Sequence, residues 1–385
     1  MKKLLAYTVC FLDGNKTLSV ALLFGALLLG GLSNPPVAVA HGESGWSREY
    51  LVEYHQKIVP YSLLHATDHG NVAEVKRLIG ENTNPDMANE NGDTALMYAA
   101  SEGHAEIAKV LLEAGANPNM ENEAGWAALM DAAFHGHAEV AKVLLEAGAN
   151  PNATDKDGDT VLMFAAHGAF GDHAKVAKVL LEAGANLNAT NKDGDTALMN
   201  AAFRGRAKVA KVLLEAGANL NATDKDGDTA LMNAAYYGHA KVAKVLLEAG
   251  PNLNATDKYG DTALMNAASE GHAKVAKVLL EAGANLNATD KDGDTALIDA
   301  AYYGHAEVAK VLLEAGVNLN ATNKYGNTAL MNAAFDGHAK VAKVLLEAGA
   351  NPNMENKFGL TALGIAKKAD AYGVIRILRK AGAEE

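Results

Sequence analysis

The motif Gly-Asp-Thr-Ala-Leu-Met, in near-identical copies, recurs along this chain at an almost constant interval, and that interval constrains the fold more than any other feature. The glycine that opens each copy, or its equivalent, falls at Gly92, Gly125, Gly158, Gly194, Gly227, Gly260, Gly293, Gly326 and Gly359. Successive glycines are 33 residues apart, except for one step of 36 after Gly158. Such a period is typical of stacked supersecondary units that cannot bury their apolar faces alone. Because every cycle offers nearly the same residues, we expect no conventional active site and no enzymatic activity.

One cycle shows how the unit is built. Thr229 stands where a helix N-cap is needed, since its hydroxyl can accept a hydrogen bond from a free backbone N–H. Residues 230–237 then predict about two helical turns, ended by Gly238, because glycine readily adopts the left-handed conformation. A second helix is predicted over 240–249, and the remainder is rich in Asn, Asp and Gly, which favours a turn or hairpin.

These motifs resemble a known family. Thr-Ala-Leu-Met, Ala-Ala, Gly-His, Val-Leu-Leu-Glu-Ala-Gly-Ala and Asn-Ala, at this spacing, are similar to the ankyrin repeat over residues 61–385. The resemblance implies an all-α ankyrin-repeat solenoid of about ten helix-turn-helix units, including atypical terminal repeats, joined by short β-hairpins or turns. The family's Pro and His in Thr-Pro-Leu-His are replaced here by Ala and Met. A row of methionines is therefore expected to supply apolar packing, namely Met97, Met130, Met163, Met199, Met232, Met265 and Met331.

Residues 1–40 have the layout of a secretory signal peptide. Basic residues precede an apolar run from Leu18 to Leu32, which is short for a membrane span. An Ala-x-Ala cleavage site ends at Ala40. We therefore expect export to a periplasmic or secreted location, with an uncleaved membrane anchor as the alternative. Residues 41–60 are predicted to form a linker with one helix ahead of the repeats.

Charge and cysteine content narrow the classes of partner. The chain carries 34 Lys and Arg against 46 Asp and Glu, a formal net charge of −12, and loss of residues 1–40 would make it −14. This acidity argues against nucleic acid or an anionic membrane as the main partner. The only cysteine, Cys10, lies in the predicted signal peptide, so the exported chain would have no disulfide and no thiolate metal site. We expect a monomer without cofactors.

Three recurring patterns admit both a chemical and a structural interpretation. The first is a row of histidines, which we interpret as linking helices or neighbouring repeats. A metal site at His135 and the adjacent His137 is the alternative. The row consists of His104, His137, His173, His239, His272, His305 and His338. Aspartates at the hairpin tips, as at Asp155, lack the Gly and Glu positions of a calcium loop. A turn role is favoured, with weak calcium binding as the alternative.

Asn-Ala-Thr is the third pattern. It occurs six times and matches the N-glycosylation sequon, at Asn152, Asn188, Asn221, Asn254, Asn287 and Asn320. Because it belongs to the repeated hairpin itself, a structural role is favoured over glycosylation.

The first helix of each unit predicts a binding surface. Leu231, Ala234 and Ala235 share one face and are expected to pack in the stack. The residues two positions further along form another face, which the family resemblance places in a concave groove. We call this the groove face, and its candidate partner-binding residues are Tyr98, Asp131, Phe134, Asn200, Phe203, Asn233, Tyr236, Tyr237, Asn266, Asp299, Tyr302, Tyr303, Asn332 and Phe335. Aromatic side chains beside Asn and Asp are typical of protein interfaces.

The expected function is therefore a non-enzymatic scaffold that binds a protein or peptide partner, possibly basic, along the groove face. The alternative is a structural or calcium-responsive repeat protein that uses its Asp-rich hairpin tips. The 36-residue cycle adds three residues around Phe170, which is predicted either to anchor a ligand or to cover the longer turn.

Overall fold

The computed structural model describes residues 8–13, 16–21, 62–168 and 171–384. Strands β1 (Thr8–Asp13) and β2 (Lys16–Ala21) pair antiparallel, with Thr8 opposite Ala21. They belong to one compact unit, and the helices belong to a second. β2 overlaps the start of the predicted apolar run. The rest of that run, the predicted linker and Phe170 lie outside the described residues.

From residue 62 onward, the described chain forms twenty helices in ten pairs, which confirms the predicted all-α repeat array. The first helices of the pairs are α1 (62–68), α3 (Ala95–Ser101), α5 (Ala128–His135), α7 (Val161–His167), α9 (Ala197–Phe203), α11 (Ala230–Tyr236), α13 (Ala263–Ser269), α15 (Ala296–Tyr302), α17 (Ala329–Phe335) and α19 (Ala362–Lys368). The second helices are α2 (Val72–Gly80), α4 (Ala105–Glu113), α6 (Ala138–Glu146), α8 (His173–Glu182), α10 (Ala207–Glu215), α12 (Ala240–Glu248), α14 (Ala273–Glu281), α16 (Ala306–Glu314), α18 (Ala339–Glu347) and α20 (Tyr372–Lys380).

Most first helices begin at a threonine cap that also involves methionine. The Thr229 hydroxyl accepts from the N–H of Met232 at 3.3 Å, and the N–H of Thr229 donates to the Met232 sulfur at 3.4 Å. Methionine thus fills the place that Glu or Gln takes in the usual capping box. Six first helices share this arrangement, whereas α15 has Ile298 and keeps only the hydroxyl bond. Six of the seven methionines therefore do more than the predicted apolar packing, because they also satisfy a buried backbone donor; Met130 does not, since its helix begins at Ala127.

Small core residues allow the repeats to stack closely. Leu231, Ala234 and Ala235 are buried, as predicted from their spacing. From α3 onward, each first helix packs on the neighbouring first helices, and the second helices pack on one another in the same way. The outer face of each second helix is exposed to solvent, as at Lys241 and Lys244. Among the described residues, no helix is long and apolar enough to cross a bilayer.

The hairpins are ordered by turns and by bonds between repeats. The Asp224 carboxylate accepts from the N–H groups of Asp226 and Asp228 at 2.8 and 2.9 Å, which is an Asx turn. The N–H of Lys258 donates to the carbonyl of Asp226 in the preceding hairpin at 2.7 Å. Within the described array, β-pairing is limited to isolated bridges, such as Thr154 with Thr160. The connections are therefore hairpin-like turns that join neighbouring repeats edge to edge.

Candidate functional site

The histidine row links neighbouring repeats, as predicted. In six of the helix turns, the imidazole Nε2 lies 2.9–3.4 Å from a carbonyl oxygen of the preceding repeat, in the pairs His104–Asp68, His137–Ser101, His239–Phe203, His272–Tyr236, His305–Ser269 and His338–Tyr302. Each ring also fills the space under a turn glycine. A Cβ at Gly238, where φ is +74°, would lie 2.6 Å from the His272 ring. In the lengthened turn, His173 instead uses Nδ1, which lies 3.2 Å from the carbonyl oxygen of Ala133.

The sequon asparagines form a ladder between repeats. Each Oδ1 accepts the N–H of an asparagine in the next repeat at 2.7–3.1 Å, in the pairs Asn152–Asn186, Asn188–Asn219, Asn221–Asn252, Asn254–Asn285, Asn287–Asn318 and Asn320–Asn351. The ladder continues where no sequon exists, since Asn119 accepts from Asn150 and Asn353 accepts from Glu384, both at 2.8 Å. A shared structural need therefore explains these asparagines without glycosylation.

The hairpin-tip aspartates are engaged in turns and ion pairs. Asp155 accepts two backbone N–H groups at 2.9 Å, as Asp224 does, and Asp226 pairs with Lys258 at 2.8 Å. The His135 Nδ1 lies 3.0 Å from the carbonyl oxygen of Asp131. Across the described residues, no group of three or more His, Cys, Asp or Glu side chains is arranged to hold a metal ion.

Eight of the fourteen groove-face residues surround one cleft of about 620 Å³, namely Asn233, Tyr236, Tyr237, Asn266, Asp299, Tyr302, Tyr303 and Asn332. Its walls are two tyrosine pairs, Tyr236 with Tyr237 and Tyr302 with Tyr303. The ring centroids are 5.0 Å apart in each pair, and the planes are steeply inclined. The four side chains are 42–54% exposed, although they lie above a tightly packed core. This exposure leaves large aromatic surfaces available to a ligand.

The cleft exists because one repeat departs from its neighbours. α13 lies between the two tyrosine-bearing helices and has Ser269 and Glu270 at the equivalent positions. The short serine leaves open the space that a tyrosine would occupy. Hairpin side chains, including Tyr259, complete the lining. First helices and hairpins thus share one surface, which agrees with the groove that the family resemblance implies.

The cleft is strongly acidic. Seven carboxylates line it, and none of its lining residues in the described chain is Lys or Arg; the seven are Asp228, Asp257, Asp261, Glu270, Asp290, Asp294 and Asp299. Most of them come from the hairpins and were not among the predicted site residues. Reasoning from helical spacing missed them because it considers one helix at a time. Their common signal in the sequence is the repeated Asp-x-x-Gly-Asp string.

Four of these carboxylates form pairs across repeats. The carboxylate of Asp257 in the next hairpin repels that of Asp228, and the carboxylate of Asp290 repels that of Asp261 in the same way. Burial, together with the neighbouring carboxylates, raises the pKa of Asp228 and the pKa of Asp261 to about 6. The pKa of Asp294 is also raised by burial, but a hydrogen bond from Asn323 opposes that rise.

Asp299 occupies the helix side of the cleft. Protein surrounds most of its carboxyl group, while part of the residue stays open to the groove. Burial, followed by repulsion from Asp294, Asp261 and Asp290, raises its pKa well above the usual value. Burial of the nearby Tyr303 hydroxyl, followed by the charge of Asp299, raises the pKa of that hydroxyl.

The other six groove-face residues lie outside this cleft. Phe203 extends the aromatic surface, with its ring centroid 4.4 Å from that of Tyr237. Phe335 is 60% exposed beyond the second tyrosine pair, and Asn200 is partly exposed on α9.

The Tyr98 hydroxyl is 3.4 Å from the side-chain amide of Asn89. Burial, with repulsion from Asp93, raises the pKa of Asp131 to about 7.

Phe134, the last of the six, belongs to a separate aromatic cluster. Its ring centroid lies 5.8 Å from that of Trp126, which in turn is 4.6 Å from Phe164. Trp126 and Phe164 were not predicted. Trp126 stands where most cycles have aspartate, so a break in the period was the signal for it.

The chain is similar to one known family over most of its length. The model for ankyrin repeats (3 copies) matches residues 63–155, 150–224, 217–290, 283–356 and 315–384. A search of curated proteins found no match.

Proposed function

Since the chain belongs to the ankyrin-repeat family, whose members are typically non-enzymatic and generally bind protein partners, we propose that it holds a protein or peptide ligand along the groove face. The observation that carries this proposal is the cleft between the two tyrosine pairs. Tyrosine provides large contact area and loses little conformational entropy on binding. Exposed tyrosines flanking an open cleft thus have the properties of interface hot spots.

The charge of the cleft favours a basic ligand. Carboxylates without lysine or arginine among them attract cations and disfavour acidic partners. The net charge of −12 acts in the same direction over longer distances. The partly exposed Asn233, Asn266 and Asn332 add amide donors and acceptors that suit a peptide backbone.

A paired mutant tests the groove face. Linear peptides selected from a displayed library against the full chain serve as ligands. Replacing Tyr302→Ala together with Tyr303→Ala should weaken their binding by at least about tenfold, because hot-spot truncation typically costs about 2 kcal/mol or more. The melting temperature should barely change, since both side chains are about half exposed and lie outside the buried core.

The matched control lies on the outer face of the array. Replacing Lys241→Ala with Lys244→Ala should leave both peptide binding and melting temperature unchanged. If the lysine pair abolishes binding while the tyrosine pair has no effect, the groove face is not the binding surface.

We also propose that the protein acts, as a monomer, in an exported compartment. Support comes from the basic start, the apolar run from Leu18 to Leu32 and the Ala-x-Ala site that ends at Ala40. N-terminal sequencing of the protein recovered from its native host should begin at or near His41. A membrane-bound product that retains residues 1–40 would show instead that the segment is an anchor.

A further inference from the structure

Two carboxylates of the cleft, Asp228 and Asp261, lack the asparagine donor that three equivalent aspartates of the array have, including Asp294 at the edge of the same cleft. At three junctions between repeats, an asparagine side chain donates to the aspartate of the preceding repeat at 2.8–2.9 Å, in the pairs Asn122–Asp93, Asn191–Asp159 and Asn323–Asp294. At Asp257 and Asp290 the donor is replaced by a second acceptor. Asp228 and Asp261 therefore face a carboxylate where a hydrogen-bond donor is needed.

The nearby lysines are engaged at the hairpin tips. Lys258 pairs with Asp226 at 2.8 Å, Lys324 pairs with Asp292, and Lys291 donates to the carbonyl oxygen of Lys258. The influence of Lys258 on Asp228 is the smallest among the charges near that carboxylate. These lysines therefore leave the acid pairs of the cleft without close cationic partners.

Asp299 is an independent sign that the cleft suits a cation. No donor from the described residues reaches its carboxylate, and the charged groups that act on it are themselves carboxylates. Protein encloses most of this carboxyl group, and its open side faces the cleft between the tyrosine pairs. A largely enclosed carboxylate without a donor is costly to the folded protein, and a cation bound in the cleft would relieve that cost.

We propose that the cleft binds the guanidinium group of an arginine side chain on the partner, with Asp299 and the acid pair Asp261–Asp290 as its acceptors and the tyrosine pairs as its walls. The proposal rests on the proposed function, because it identifies the ligand group that the same groove recognises. Arginine fits better than lysine, since its planar fork donates to two carboxylates at once and stacks on aromatic rings. It is also more weakly hydrated, so less is lost when it enters the cleft.

Three labelled peptides and two variants test this assignment. Fluorescein-labelled hexa-arginine, hexa-lysine and hexa-citrulline are titrated with the full chain at 0.15 M salt, a concentration that screens distant charges, and binding is followed by anisotropy. Citrulline matches arginine in shape but carries no charge. We expect hexa-arginine to bind at least about threefold more tightly than hexa-lysine, and hexa-citrulline to bind too weakly to measure.

The cleft variant combines Asp261→Asn with Asp299→Asn. Its control combines Asp157→Asn with Asp193→Asn, which replaces the same number of carboxyl groups at exposed hairpin tips outside the cleft. Hexa-arginine binding should weaken at least about tenfold in the cleft variant and less than about twofold in the control. Both variants should melt no lower than the parent protein, so a loss of affinity would not reflect unfolding.

Three results would overturn the assignment. Equal losses in the cleft variant and its control would mean that overall charge alone captures the peptide. Equal affinity for hexa-lysine would mean that the cleft selects positive charge without the guanidinium fork. In the third case, library-selected peptides lose affinity when Tyr302 and Tyr303 are replaced but bind the cleft variant normally. That result would support the groove function and refute only the arginine assignment.

Discussion

The hairpin that leads into α17 and the hairpin that leads into α13 have the same turn, but only the first donates a side-chain hydrogen bond to the aspartate of the preceding repeat. The Asn323 side-chain oxygen accepts two backbone N–H groups at 3.0 Å, and the Asp257 carboxylate does the same at 2.7 and 2.8 Å. Only Asn323 has an amide left over, which donates to Asp294 at 2.9 Å. Asp257 presents a second carboxylate to Asp228. Asparagine and aspartate are therefore equivalent within a repeat but not between repeats.

The comparison shows that a residue can serve the fold of its own repeat equally well as Asn or Asp, while the two differ in the surface they create between repeats. The turn needs one side-chain acceptor, which either residue supplies, so the period of the sequence is preserved through both. The junction between repeats is more stable with an amide, because a hydrogen bond to a charged group contributes about 1.5–3 kcal/mol. The junctions of Asp228 with Asp257 and of Asp261 with Asp290 lack that hydrogen bond, and both lie where carboxylates line the cleft. Such local departures from the most stable choice are expected at functional sites.

Converting the amide hairpin into an acid hairpin should have the largest effect. Asn323→Asp keeps the acceptor for Tyr325 and Asn327 but loses the donor to Asp294 and places a like charge against it. We expect the free energy of unfolding to fall by about 3 kcal/mol at pH 7, measured as a shift of the urea midpoint of the full chain.

Asn320→Asp is the control for that change. The side chain of Asn320 serves the ladder as an acceptor for the N–H of Asn351 at 3.1 Å, which aspartate can replace. Its effect should stay below about 0.5 kcal/mol, as for an ordinary surface substitution. If both variants lose equal stability, the amide donor at the junction is not what distinguishes the two hairpins.

The sequence predicted the repeated unit well because its signals are local. Thr229 caps its helix and Gly238 ends it with a positive φ, as expected from residues only a few positions away. The cleft depends on contacts between repeats, such as Asp228 with Asp257, which helical spacing does not reveal. The methionine sulfur bond was missed for another reason, since methionine is ordinarily an apolar filler and only a weak acceptor.

The acid hairpins should also make the array more stable as the solution becomes mildly acidic. Asp228 and Asp261 have pKa values of about 6 in the folded chain, against 3.8 for an unperturbed aspartate. Each therefore takes up a proton on folding between those values, so the free energy of unfolding rises as the pH falls through 6. The charges that act on the two are Asp224, Asp226, Asp257 and Lys258 for Asp228, and Asp228, Asp257, Asp290 and Asp294 for Asp261.

From pH 7 to pH 5 the two groups together should add about 1.5 kcal/mol, once solvent screening of half-buried carboxylates is allowed for. Urea unfolding of the full chain at both pH values measures this gain. The double variant Asp257→Asn with Asp290→Asn supplies both junctions with an amide donor of the kind that Asn323 provides. It should be the more stable protein at pH 7, and its gain on acidification should be smaller than that of the parent chain. An unchanged gain in the double variant would place the acid response elsewhere and would leave the two kinds of hairpin energetically alike.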